Sequence, residues 1–420
     1  MLHPKLVDQE WGILRSSAAK VQRSPEAVAT RARNMLWLAF GTMGVMANAW
    51  VPRIPEIKHA LRMSNSQFGV VLLGSPIGLV IGAQLAGRLV HTFGSRRVAL
   101  IAGLEMSGGL ILLGIAHSKW SLVIALFVMG IGYSAIDNAV NTQAVAVEKI
   151  LDRRYMSGFH GSWSVGALIA AAIGGLLAHH TTSKENIVGV GIISFVVFIP
   201  NLLNLLPDNL DGHAGHEEVT SAKIPFFGKG TGILWLIGFG LIGCLIPEAA
   251  ASDWAGILLH EHMRIGTGLD ASAFGAFALA MIVGRFSGDH LMMKYGAERI
   301  VKYGGYIGGV TLGACIAIAV PVSSFNIYLG LGIIIFGFII AGLGIGPMVP
   351  AFISATGRMT AIAPSVAIAR VGVIGLLAYY IGPVVTGSLA DLFSLPVAMA
   401  FPCSVLILAG YLSKTVRAPK

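Results

Sequence analysis

The stretch VMGIGYSAIDNAVNTQAVAVEKILDRRYMSGFHGSWSVGALIAAA, residues 128–172, decides how the rest of the chain is read. It runs from one apolar span through a short charged hinge into a second apolar span. Toward the end of the first span, Ser134, Asp137, Asn138 and Asn141 recur at spacings of three and four. On an α-helix that spacing gathers them into one wedge. A carboxylate and two amides are costly against lipid, so the wedge must face protein or a water-filled cavity. The second span carries Gly158, Ser162, Gly166, Ala170 and Gly174, each four residues from the last. Such a stripe lets another helix backbone come close inside a membrane. One helix of this hairpin suits a polar site, and its neighbour suits close packing.

Working outward, the composition settles the class. Of 420 residues 55% are hydrophobic and only 12% charged, with a mean hydropathy of +0.77. A soluble domain carries about a quarter charged residues. Apolar stretches near the ~20 residues that cross a bilayer recur along almost the whole length. The chain reads as an all-α membrane protein of twelve transmembrane helices, at about 35–53, 67–90, 97–116, 121–145, 157–179, 186–206, 231–251, 271–293, 300–320, 326–352, 364–388 and 394–413. The first apolar run starts too late and is too long for a cleavable signal. Cys244, Cys315 and Cys403 sit in apolar spans without paired spacing, as small buried hydrophobes.

The net charge of +9 is unevenly placed. Counting charges at the span ends with the adjoining loops, 21 Lys and Arg residues fall in the tails and loops on the side of the termini, six on the other side, and Arg285 and Arg370 lie inside spans. That is the positive-inside bias, and it places both termini in the cytoplasm. The basic balance therefore reports topology in an inner or plasma membrane, and does not point to nucleic acid.

The longest internal break, 208–230, follows the sixth span and holds His213, His216, Glu217 and Glu218. It reads as a polar linker, since nothing there fixes a metal-ligand geometry. The expected organisation is a cytoplasmic tail (1–34), a six-helix bundle (35–207), a cytoplasmic linker (208–230), a second six-helix bundle (231–413) and a short tail (414–420). The halves look like repeats. Span two carries Gly74, Gly78, Gly82 and Ala86, and span eight carries Ala276, Ala280, Gly284 and Gly288. Gly130-Ile131-Gly132 in span four matches Gly342-Leu343-Gly344 in span ten. Two pseudo-symmetric bundles are what a rocking transporter requires.

After span two comes Gly87-Arg88-Leu89-Val90-His91-Thr92-Phe93-Gly94-Ser95-Arg96-Arg97. This resembles the signature loop of the major facilitator superfamily, with His91 where that family usually has an acid. Gly284-Arg285-Phe286-Ser287-Gly288-Asp289 occupies the related place in the second half. The Trp50-Val51-Pro52-Arg53-Ile54-Pro55 run, Asp137-Asn138-Ala139-Val140-Asn141, Ser157-Gly158-Phe159-His160, Pro247-Glu248 and Asp253-Trp254 resemble the YbjJ-like branch of that superfamily. More distantly, Asp137 and Asn141 are similar to the fourth-helix acid and amide of fucose permease, a proton-coupled sugar importer. The resemblance implies that helices one, four, seven and ten line a cavity. Arg88, Arg96 and Arg97 in that loop are expected to serve as gating or structural charges, and Arg285 and Asp289, four apart near a cytoplasmic end, as a structural or gating pair.

The residues themselves supply candidates at depth: Asn48 in span one, the Asp137–Asn138–Asn141 wedge in span four, and Glu248 in span seven. Span ten carries Gly346-Pro347 and Pro350, which should interrupt the helix. Asp137 or Glu248 can exchange a proton as the cavity alternates; the other reading makes Asp137 a permanent structural partner. Arg370 either binds an anionic solute, pairs with Asp137 or snorkels to the surface. His160 and Ser164 lie one turn apart in span five and can join the polar network. Trp50, Trp163 and Tyr379 offer aromatic faces to a solute, or serve as interface anchors.

No nucleotide loop, metal-ligand cluster or nucleophile elbow is present, so the reading is of a non-enzyme without cofactor. The expectation is a monomeric secondary transporter working by alternating access with protons as coupling ion. Its expected cargo is a small polar solute such as a sugar or related metabolite. The rival readings are a proton-driven exporter of amphipathic compounds and a transporter-shaped membrane sensor.

Overall fold

The computed structural model describes residues 24–153, 155–211, 232–357 and 364–417, and its regular structure there is entirely helical. The first half comprises α1 (Pro25–Asn48), α2 (Asn65–Phe93, with a short break near Leu72), α3 (Ser95–Gly114), α4 (Lys119–Leu151), α5 (Met156–Leu177) and α6 (Ser183–Leu202). The second comprises α7 (Gly232–Asp253), α8 (Ser272–Tyr295), α9 (Ala297–Ser323), α10 (Ile327–Ile345, then Met348–Gly357), α11 (Pro364–Leu392) and α12 (Leu395–Ala398, then Ala400–Tyr411). The break in α10 falls at the Gly346-Pro347 step, where the sequence predicts it.

Among the described residues, eleven helical stretches are long and apolar enough to cross a membrane. The first helix falls short because its opening turns carry Glu26, Arg31 and Arg33. Its later turns are a core element all the same, with Leu36, Phe40 and Met43 fully buried. It also begins earlier than the apolar pattern suggests. Ser24 accepts the Ala27 amide and Pro25 fits the first helical position, so the cap recruits polar residues into the helix. The fourth helix likewise outruns its apolar span. A capping box at Ser118 and Ser121 starts it, and Asp152, at φ 49°, stops it.

The packing repeats with a shift of six. The pairs α1–α5, α2–α4, α3–α4 and α3–α6 recur as α7–α11, α8–α10, α9–α10 and α9–α12. Two turns show the same correspondence. Gly94 (φ 82°) joins α2 to α3 and Gly296 (φ 84°) joins α8 to α9, a left-handed bend that glycine adopts without strain. The stripe on α5 is a true interface. A Cβ on Gly166 would lie 2.0 Å from the Gly41 carbonyl of α1, and one on Gly44 would lie 2.0 Å from the Trp163 carbonyl. Small residues there let the two backbones touch.

An even number of helices puts the start of α1 and the end of α12 on one face. On the opposite face the two halves meet closely. The Asp391 carboxylate, ending α11, accepts the Asn65 and Ser66 amides at 2.9 Å each and so caps the start of α2. Lys58 donates to Glu261 at 2.6 Å, joining the α1–α2 and α7–α8 connections. Phe68 packs edge-on against the buried Trp254, with ring centroids 5.4 Å apart. Beneath this closure lies the molecule's central cavity.

Candidate functional site

The cavity, about 330 Å³, lies between the halves and draws its walls from both. The first half supplies Asn48 and Trp50 from the end of α1, Ser75 and Pro76 from α2, Tyr133 from α4 and Trp163 and Ser164 from α5. The second half supplies Glu248, Ser252 and Asp253 from α7, Phe274 and Phe277 from α8, and Tyr379 and Pro383 from α11. Large aromatic and methionine side chains dominate, with a few polar groups among them. That is the usual make-up of a small-molecule site, in which apolar walls bury the ligand and sparse polar atoms orient it.

Six of the residues singled out from sequence come together here: Asn48, Trp50, Trp163, Ser164, Glu248 and Tyr379. The Asn48 amide is braced, its Nδ2 donating to the Gly44 carbonyl at 3.0 Å, so its oxygen is left for other partners. The buried Trp163 Nε1 approaches the Tyr133 hydroxyl but completes no hydrogen bond of normal geometry. Glu248 faces Arg285 of α8 at 3.3 Å, a half-exposed ion pair within the second half. Four-residue spacing suggests Asp289 as the partner of Arg285; the structure brings Glu248 there, and the side chain of Asp289 lies outside the described residues.

The Asp137 wedge lies further along α4, toward the face of the chain ends. Ser134, Asp137, Asn138 and Asn141 line a second pocket, of about 780 Å³, together with Lys149 and with Leu210 and Asp211 from the start of the linker. These four side chains thus share one side of α4 and border open space. Asn141 Nδ2 donates to the Asp137 carboxylate at 3.0 Å and to its carbonyl at 2.8 Å. Asp137 has no ion pair with Arg370. The imidazole of His160 of α5 lies near Asp137 and also stacks edge-on against Phe40 at 5.1 Å. Arg370 is buried on α11 and lines neither pocket.

The basic residues of the α2–α3 turn act inside the first half. Arg97 pairs with Asp208 at 3.1 Å, Arg96 donates to the Leu203 carbonyl, and Arg88 is exposed. Arg96 and Arg97 anchor α3 to the end of α6. The contacts that hold one half to the other are those of the opposite face, which the sequence reading did not single out. There, Arg53 is fully buried beside Glu56 at 3.2 Å, and burial raises the Glu56 carboxyl above the ordinary carboxylate range against the pull of that guanidinium. The sequence reading also left Tyr133 and Asp253 out of the site, although both line the cavity. Asp253 ends an apolar span, where an acid passes for a helix terminus.

Two six-helix bundles, related by a repeat and enclosing an amphipathic cavity closed at one face, define a polytopic membrane transporter. The chain matches the model of the Major Facilitator Superfamily over residues 36–363, and it belongs to that family. An uncharacterized MFS-type transporter of Yersinia pestis is 30% identical over 372 residues, covering 88% of this chain and 91% of that one. The 3-(3-hydroxy-phenyl)propionate transporter of Escherichia coli K12 is 25% identical over 350 residues, covering 80% and 81%. Among solved structures, a variant of the nucleoside transporter NupG superposes with a TM-score of 0.75 at 10% identity, over 92% of this chain and 99% of that one.

Proposed function

We propose that this protein moves a small solute across the inner or plasma membrane by proton-coupled alternating access, as a monomer with both termini in the cytoplasm. One observation carries the reading: a cavity of about 330 Å³ walled by both halves and closed on one face by contacts between them. Rocking the halves about such a site exposes it to each side in turn. The solute is sugar-sized, with polar groups for Asn48, Ser164 and Glu248 and an apolar face for the rings.

Asp137 is the proposed coupling group. It lies well inside an apolar helix, faces a pocket, and is steadied by Asn141 without a fixed cation. A carboxylate so placed gains and loses its proton as its surroundings change. The test is uptake into proteoliposomes under an imposed pH gradient. Asp137→Asn keeps the shape and one hydrogen bond but removes titration, so gradient-driven accumulation should vanish while counterflow exchange survives. Undiminished accumulation would pass the role to Glu248. The aromatic and methionine lining favours a second reading, export of amphipathic compounds, and the direction of gradient-driven flux in oriented vesicles separates the two.

A further inference from the structure

The cavity contains an electrical imbalance. Two carboxylates line it, Glu248 and Asp253, and among its described lining residues there is no lysine, arginine or histidine. Arg285 reaches in from behind and is committed to Glu248 at 3.3 Å. Asp253 is left without a basic group within 4 Å among the described residues. Its nearest polar neighbour is the Ser252 hydroxyl at 2.9 Å, which lies equally close to the Ala249 carbonyl. A hydroxyl carries a single hydrogen, so Ser252 cannot satisfy both. A carboxylate bordered by apolar walls with no countercharge is costly, and either a bound proton or a cation supplied from outside relieves that cost.

The place of Asp253 strengthens the point. It is the last residue of α7, and the next residue, Trp254, is the buried ring that packs on Phe68 in the closure. Asp253 therefore stands at the blind end of the cavity. Tyr133, Trp163, Trp50 and Tyr379 line the same space, and the faces of such rings attract a cation once water is excluded. An anion entering here would meet Asp253 and would have to draw Arg285 away from Glu248.

We infer that the solute of this cavity is cationic: a small molecule with a protonated amine that pairs with Asp253 and an apolar or aromatic body that lies against the rings. The inference rests on the central cavity being the solute site. It is tested with three probes of similar size titrated calorimetrically into the purified protein at pH 7: 2-phenylethylamine, 2-phenylethanol and 3-phenylpropionate. The amine should bind about tenfold tighter than the alcohol, and the propionate more weakly than either. Asp253→Asn, which keeps the side-chain shape, should bring amine and alcohol within about twofold while leaving the affinity of the alcohol unchanged. Thermal unfolding of that variant checks that it is folded. Ser75→Trp, which places an indole in the cavity, should abolish binding of all three.

An amine that binds no tighter than the alcohol, or shows no binding, overturns the inference, as does a preference for the propionate. If Ser75→Trp still blocks whichever probe binds, the cavity remains the solute site and the charge assignment alone has failed. An amine preference that survives Ser75→Trp places the cation elsewhere and removes the cavity reading with it.

Discussion

At the scale of single residues, the legible features were those whose cost depends on depth alone. An acid and two amides in the middle of an apolar span announce themselves, and Asp137, Asn138 and Asn141 do line a pocket. What spacing cannot supply is the partner on another helix. Arg285 and Asp289 look like a pair four residues apart, yet the guanidinium turns to Glu248, 37 positions away. That pair yields a direct prediction. Glu248→Gln leaves a half-buried guanidinium without its counter-ion and should destabilise the protein by about 1–3 kcal/mol. This is less than the ~3–5 of a fully buried pair, because both side chains are partly exposed. Adding Arg285→Gln should restore most of the lost thermal stability, read as the unfolding midpoint in detergent. A double variant no more stable than Glu248→Gln would mean that the two charges do not depend on each other.

At the scale of elements, glycine stripes carry more information than hydropathy. The repeat of small residues on α2 and α8 marks the faces that pack against α4 and α10: a Cβ on Gly78 would come 2.2 Å from the Phe127 carbonyl, and one on Gly284 2.7 Å from the Leu343 carbonyl. Helix ends were read less well, since hydropathy cannot see a cap. Ser24 and Ser118 set where α1 and α4 begin through single hydrogen bonds, whatever the apolar pattern does nearby. The prediction at this scale is that Gly166→Leu prevents α1 from seating on α5 and leaves little monodisperse protein on size exclusion. The backbones would have to part by an ångström or more, beyond the few kcal/mol that ordinary overpacking costs. Ile169→Ala, on the exposed side of the same helix, should be purified at the level of the native protein. Equal yields from both variants would show that the stripe is not a contact.

At the scale of the whole molecule, the question is what holds the two halves in this arrangement, and the geometry places the answer at one face. Asp391 at the end of α11 caps the start of α2, and it crosses from one half to the other to do so. A carboxylate at a helix N-terminus satisfies two amides that have no partner within their own helix, and it meets the positive end of the dipole. Because the contact spans the halves, its energy favours closure without stabilising either half alone. Losing such a cap costs about 0.5–2 kcal/mol, which amounts to roughly 2- to 30-fold in the ratio of closed to open. The Lys58–Glu261 pair, partly exposed, should add less than about 1 kcal/mol. A cysteine at Ser75, inside the cavity, reports the opening, and the three native cysteines are buried and should give little background. Asp391→Ala should speed labelling of Ser75→Cys by an impermeant maleimide added at the closed face by about 2- to 30-fold. Glu185→Ala is the control, because Glu185 caps α6 through Thr182 within one half and its loss should leave the rate unchanged. If both variants accelerate labelling alike, cap loss acts by loosening single helices, and the closure of the halves must rest on the packing of Phe68 against Trp254.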